Sequence, residues 1–93
     1  MELKEYLGII DMVKSRTSEE PPRRVLEDLK NCAWGLYTYA ERRNVRSVLK
    51  MTSQLGSWCH MLESHLSLDD WDMVCGRSLD DVFRQVAPKL SER

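Results

Sequence analysis

The sequence lacks the patterns that most enzyme classes and membrane proteins carry. Its four glycines are isolated from one another, so neither a phosphate-binding loop nor a dinucleotide-binding glycine cluster is present. The longest stretch without a charged residue, 51–62, is far shorter than the roughly 20 apolar residues that a transmembrane helix needs. The N-terminus has no basic segment followed by an apolar core. We therefore expect no signal peptide, no membrane partner and a cytoplasmic location.

Cysteine and histidine are too few and too scattered for a metal site or a disulfide framework. The three cysteines, Cys32, Cys59 and Cys75, are widely spaced, and no CxxC or CxxH pair occurs. The one cluster of ligand-type residues, 59–65, does not have the HExxH or ExxH spacing of helical metal sites. We therefore predict three reduced thiols, no metal, no cofactor and no catalytic residue, and the chain is expected not to be an enzyme.

What the chain does contain is helical periodicity, and no segment alternates in the way that a strand requires. Apolar residues recur every three or four positions over 2–16, 22–43 and 45–66. Two prolines separate the first two segments, and Asn44 can end one helix or cap the next. We predict that 1–93 is a single all-α domain, a small helical bundle built on a long antiparallel helical hairpin with an N-terminal helix. One continuous helix through Asn44 is the alternative.

Two short C-terminal helices are predicted to follow the hairpin. A four-residue Ser-Leu-Asp-Asp segment occurs twice, and it places Ser67 and Ser78 where N-caps stand, with acids in the first helical turn. Gly76 suits the end of the first short helix, and Pro88 is expected to stop the second. We expect these helices over 68–75 and 79–87.

The apolar stripe of the third helix includes a glycine. The stripe runs from Val45 through Leu49 to Leu66, and we expect it to face the core. Gly56 lies on it, although glycine in a helix costs about 1 kcal/mol relative to alanine. We therefore expect another backbone or a large ring, such as that of Trp34, to pack against Gly56.

Three tryptophans are the leading candidates for contacts with another protein. Trp34 and Trp58 lie at the edges of their apolar stripes, and Trp71 is surrounded by acidic residues. Tryptophan is among the residues most enriched at interface hot spots, and an aromatic ring among acids suits a basic protein surface. The candidate protein-binding residues are Trp34, Trp58, Trp71, Asp69, Asp70 and Asp72.

One basic cluster stands at the predicted turn between the two long helices. It consists of Arg42, Arg43, Arg46 and Lys50, within a segment, 23–66, that has seven basic and four acidic residues. Such a cluster can meet phosphates or an acidic protein. In the alternative function, a dimer lays these four residues along duplex RNA or DNA and recognises its shape rather than its sequence.

The leading prediction is a small helical regulator, adaptor or inhibitor that binds another protein through its helix faces. Small helical proteins of this kind are frequent among phage and viral antagonists of host machinery. We also expect a homodimer, because Ile9 and Met12 widen the apolar face of the first helix and other apolar residues lie outside the hairpin seam. Those residues are Trp34, Tyr39, Met51, Trp58 and Met61.

Overall fold

The fold is an all-α bundle of five helices, as predicted. A computed structural model describes residues 2–91 of the chain, and that range contains no strand. Its helices are α1 (Leu3–Ser15), α2 (Pro22–Glu41), α3 (Val45–Leu62), α4 (Leu68–Cys75) and α5 (Arg77–Ser91). None of these helices is both long enough and apolar enough to cross a membrane.

A three-residue turn joins α2 to α3 and excludes the single continuous helix. Arg43 has a φ of 55°, the left-handed conformation that ends many helices. Its N–H donates to the carbonyl of Ala40 at 3.0 Å, and the N–H of Asn44 donates to that of Tyr39, also at 3.0 Å. The Asn44 side chain then accepts the N–H of Ser47, which makes Asn44 the N-cap of α3. Arg42 and Arg43 thus end α2, and Asn44 caps α3.

The core lies between the α2–α3 hairpin and a second layer formed by α1, α4 and α5. α2 is the central helix, because it packs against α3, α1 and α5, whereas α3 packs mainly against α2. Sulfur contacts fix the register of the hairpin, since the Cys32 thiol donates to the carbonyl of Met51 at 3.3 Å. The largest fully buried side chains are Tyr6, Ile10, Leu26, Leu29, Leu36, Leu55 and Leu62.

Two aromatic side chains satisfy carbonyls that helix ends leave without a partner. The last four carbonyls of a helix have no intrahelical donor, and Val74 lies in the last turn of α4. The buried hydroxyl of Tyr6 donates to the Val74 carbonyl and so ties α1 to the end of α4. In the same way, the indole N–H of Trp71 donates to the carbonyl of Cys59 near the end of α3, at 2.9 Å.

The predicted helix over 45–66 is too long, because α3 ends at Leu62. The chain tightens after Leu62, whose carbonyl accepts the N–H groups of both His65 and Leu66 at 3.1 Å. Ser67 then adopts an extended conformation and its hydroxyl accepts the N–H of Asp70, which starts α4. The N-cap predicted at Ser67 is therefore confirmed.

The last helix differs from the prediction at both ends. It begins at Arg77, so that Ser78 is a buried residue of the first turn and the Gly76 carbonyl accepts the Asp80 N–H at 3.1 Å. It also continues through Pro88, which was expected to stop it. Pro88 removes one N–H on an exposed side of α5, where water can satisfy the freed carbonyl.

A contact beyond Pro88 accounts for the extra turn of α5. Lys89 pairs with Glu41 of α2 at 3.2 Å, and its ammonium group lies 3.6 Å from the centre of the Tyr37 ring. These contacts hold the C-terminal turn of α5 beside the end of α2. They also show that α5 runs toward the hairpin turn.

The predicted core stripe of α3 is wrong at its beginning. Val45 is 50% exposed and Leu49 is 65% exposed, because α5 packs against α2 and leaves this side of α3 uncovered. The expectation for Gly56 is wrong as well, since a Cβ built there would have no neighbour within 4 Å. The mid-helix glycine that faces a neighbour is Gly35, whose Cβ would lie 3.2 Å from the sulfur of Met51.

Candidate protein-binding surfaces

Trp34 stands at the edge of a groove between α1 and α2. Its side chain is 60% exposed, although Ala33 and Leu36, which are close to it in α2, are fully buried. The groove has a volume of about 560 Å³, and its apolar lining includes Leu7 and Tyr37. Trp34 is therefore held on a helix whose opposite side is fixed in the core, with its ring free to meet another molecule.

Two ion pairs join α1 to α2. Lys30 binds Asp11 at 2.9 Å, and Lys14 binds Glu27 at 2.7 Å. The hydrogen bond from Lys14 lowers the pKa of the Glu27 carboxyl, and the bond to Asp11 raises the pKa of Lys30. Exposed pairs of this kind add little stability. Their consequence here is that Lys30 and Asp11, which both line the groove, are already bound to each other.

The other two candidate tryptophans are part of the packing. Trp58 is half-buried and lies against the core cluster, and Trp71 is half-buried with its indole N–H bound to the Cys59 carbonyl. Trp71 lines the groove between α3, α4 and α5, whereas Trp34 lines the groove between α1 and α2. The three rings therefore do not form one continuous surface, and Trp34 is the most exposed of them.

The acidic residues around Trp71 are largely engaged within the chain. Asp70 binds Arg16 at 2.8 Å, and Asp72 binds Arg77 at 2.9 Å. The hydrogen bond from the Arg77 side chain lowers the pKa of the Asp72 carboxyl. Asp69 is exposed and takes part in none of the ion pairs found within residues 2–91. Of the predicted acidic contacts, Asp69 is thus the one that stays open to a partner.

The basic cluster forms the tip of the hairpin, as the sequence places it. All four side chains, Arg42, Arg43, Arg46 and Lys50, are exposed, and none is in an ion pair with a residue in 2–91. The tip is not purely basic, because the exposed side chain of Leu49 belongs to the same turns of α3. We call the four basic residues the hairpin tip.

A second groove, of about 350 Å³, runs between α3, α4 and α5, and two thiols line it. Cys59 is buried and Cys75 is half-buried; both, like Cys32, are free. A hydrogen bond from Cys75 lowers the pKa of the Cys59 thiol, while the same bond and burial raise the pKa of Cys75. Burial also raises the pKa of Cys32. Of the three thiols, Cys59 is thus the one whose pKa is lowered.

The ligand-type cluster over 59–65 lies at the surface. His60 is exposed and its ring nitrogen lies 3.4 Å from a carboxylate oxygen of Glu63. His65 is exposed as well. Within residues 2–91, no three His, Cys, Asp or Glu side chains gather where they could share a metal ion. The absence of a metal and of a catalytic residue stays a prediction.

Several exposed apolar residues lie outside the candidate tryptophan, acidic and basic sites, and two of them, Met12 and Met61, are among the residues predicted to lie in a homodimer contact. Leu68, at the start of α4, is 81% exposed, and Met12 and Met61 are about half exposed. Helical period placed Val45, Leu49 and Met12 on the apolar sides of their helices. The period shows on which side of a helix a residue lies, but not whether another helix covers that side. The signal that distinguishes them is tertiary, namely which helix packs against which.

These surfaces define the class of protein: a small all-α bundle with an exposed tryptophan, a basic hairpin tip and an uncovered helix side. No protein-family model matches the chain, and no curated protein or solved structure matches it either. The function is therefore argued from the chain's own residues.

Proposed function

We propose that this chain is a non-enzymatic binding protein that contacts another protein through the groove between α1 and α2, with Trp34 at the centre of the contact. In this role it acts as a small regulator, adaptor or inhibitor. The observation that carries the proposal is the 60% exposure of Trp34 on the central helix. Three free cysteines favour a reducing compartment, so we propose that it acts in the cytoplasm.

The energetics of Trp34 support a binding role. A large aromatic side chain left in water forfeits about 1.5–3 kcal/mol relative to full burial, and folding recovers only part of this for Trp34, which stays 60% exposed. A partner that covers the ring recovers it, and tryptophans that become buried in this way often dominate an interface. The ion pair of Lys30 with Asp11 leaves these two groove residues with little net charge to present to a partner.

The partner is expected to insert an apolar side chain into the groove. Trp34 and Leu7 give the groove an apolar surface, and Tyr37 adds the part of its ring that Lys89 does not cover. Of the charged residues that line the groove, Lys30 and Asp11 neutralise each other. A partner side chain such as leucine or phenylalanine would match this chemistry better than a phosphate would. The groove therefore favours a protein over a nucleic acid.

A quantitative capture experiment tests the proposal. The native chain and its Trp34→Ala variant are immobilised and exposed to nuclease-treated extract of the source cells. The matched control is Leu68→Ala, which removes a more exposed apolar side chain outside the groove. We expect a partner that binds the native chain and the control alike and binds Trp34→Ala at least about 30-fold more weakly. Equal recovery by all three chains would contradict a Trp34-centred contact.

Duplex RNA or DNA is the second candidate partner, and one observation favours it. The four residues of the hairpin tip are exposed and unpaired within residues 2–91, so they are available to phosphates. Against it stand the chain's net charge of −1 and the exposed Leu49 beside the tip. Duplex binding would have to weaken steeply between 50 and 200 mM salt, as counterion release requires. An affinity for duplex RNA or DNA that does not change with salt concentration would exclude nucleic acid as the partner.

A further inference from the structure

We propose that the chain forms a two-fold homodimer in which the α3 helices of two copies pack antiparallel through an exposed side of α3. We call this side the α3 face; it consists of Val45 and Leu49, which α5 leaves uncovered, and of Thr52 and Gly56, which line the open groove between α3 and α5. The inference goes beyond the proposed function, because Trp34 lies on the α1 side of α2 and stays free in such a dimer.

The spacing of the α3 face is that of a helix packed against another helix. Its four residues are separated by four, three and four positions, so they lie along one side of the helix. Thr52 is half-buried, whereas the other three are exposed. The face is about 17 Å long at 1.5 Å per residue, or about three turns.

The shape of the α3 face is complementary to itself. With the two-fold axis between Thr52 and Ser53, Leu49 and Gly56 lie at equal distances on the two sides of the axis. Antiparallel packing therefore sets Leu49 of each copy against Gly56 of the other. Leu49 is 65% exposed, and the space above Gly56 is empty to at least 4 Å from a Cβ position. The two-fold axis therefore generates two identical contacts, each between the projecting Leu49 side chain of one copy and the open space at Gly56 of the other.

The distribution of charge along α3 favours antiparallel packing of the two α3 helices over parallel packing. The hairpin tip at the beginning of α3 is basic and unpaired within residues 2–91, and acidic residues stand at the other end, where Glu63 and Asp69 are exposed. Within one copy, Arg46 and Glu63 are about 25 Å apart along the helix, well beyond the screening length of about 8 Å. Antiparallel packing brings the basic tip of each copy to the acidic end of the other. Parallel packing would bring the two basic tips together.

Sedimentation equilibrium over a hundredfold concentration range tests the dimer. We expect the native mass to approach twice the chain mass of 10.9 kDa. Leu49→Asp should weaken association at least about a hundredfold, because it places two carboxylates in the apolar contact. The matched control is Met12→Asp on α1, which should stay within about threefold of native. A native chain that remains at 10.9 kDa overturns the proposal and leaves a different protein as the occupant of the α3 face.

Two further variants test the packing and its direction. Gly56→Leu has room in the single chain, so it should fold normally but block the space that Leu49 needs and weaken association about tenfold or more. The axis between Thr52 and Ser53 sets Glu63 of one copy opposite Arg42 of the other, so Arg42→Glu and Glu63→Lys should each weaken the dimer, and the double variant should restore it at low salt. Circular dichroism confirms folding in every case. A dimer that tolerates Leu49→Asp overturns the interface, and a double variant weaker than both single ones overturns the antiparallel direction.

Discussion

Tyr6→Phe removes a single hydroxyl that ties the two layers of the bundle together. Tyr6 is fully buried, and its hydroxyl donates to the Val74 carbonyl at the end of α4. The carbonyl belongs to the last turn of that helix, so it has no intrahelical donor to replace the hydroxyl. Without the hydroxyl, the carbonyl is left unpaired in a dry core.

The expected cost follows from that unpaired group. A buried acceptor without a partner costs about 1–3 kcal/mol, and the vacated volume of one oxygen adds little. A domain of this size is stable by roughly 5–15 kcal/mol, so a loss near 2 kcal/mol is a large fraction. Tyr39→Phe is the matched control, because Tyr39 is half-buried and the change there should stay within about 0.5 kcal/mol.

Equilibrium unfolding in urea, followed by circular dichroism, measures both variants. With a slope of about 1–1.5 kcal/mol/M, a loss of 2 kcal/mol lowers the midpoint by about 1.5 M. If Tyr6→Phe and Tyr39→Phe unfold at the same urea concentration, the assigned role of the Tyr6 hydroxyl is incorrect.

The same tyrosine makes stability depend on alkaline pH. Burial raises the pKa of Tyr6 above its ordinary value, so the folded chain keeps the phenol neutral. The neutral phenol of Tyr6 makes its full contribution to the free energy of unfolding below the unfolded-state pKa of about 10. That contribution is lost as the pH rises above about 10. The native chain should therefore lose stability above pH 10 more steeply than Tyr6→Phe does, and parallel curves would contradict the assignment.

Four other substitutions probe the turns, a glycine within α3 and the thiols. Arg43→Gly should stabilise the chain by about 0.5–1 kcal/mol in urea unfolding, because glycine adopts the left-handed conformation without strain. Gly76→Ala should cost about 1–3 kcal/mol, since a Cβ there would overlap a carboxylate oxygen of Asp72, whereas Gly56→Ala should gain about 1 kcal/mol. Cys75→Ala should raise the pKa of Cys59 and slow its alkylation near neutral pH, as followed by mass spectrometry; faster alkylation would show that Cys75 mainly shields it.

The elements of this fold were predictable because each depends on residues close in sequence. The helical period located the first three helices, the two Ser-Leu-Asp-Asp segments located the last two, and the carbonyl and amide chemistry of Asn44 indicated the hairpin turn. The serine cap at Ser67 was predictable for the same reason. Pro88 was misjudged because its cost depends on what lies nearby, here an exposed side of α5 and the contacts of Lys89 with α2.

The candidate surfaces were only partly predictable, because exposure depends on which helices pack together. The period of α3 places Leu49 and Leu55 toward opposite edges of one broad apolar stripe, but it does not say which edge a neighbouring helix covers; Leu49 is uncovered and Leu55 is fully buried. That difference arises because α5 packs against α2 rather than α3. Likewise, Trp34 and Trp58 both stand at the edges of apolar stripes, yet Trp58 is half-buried and Trp34 remains open. The basic hairpin tip was predictable, since a turn exposes its residues whatever packs elsewhere.

The most direct test of the account is photo-crosslinking from position 34 in the source cell. Trp34 is replaced by a benzophenone amino acid of similar size, and the same group is placed at Leu68 as the control. The account predicts a light-dependent adduct with one other protein from position 34 and no such adduct from position 68. An unlinked chain at both positions, or the same adducts from both, would contradict a binding site centred on Trp34.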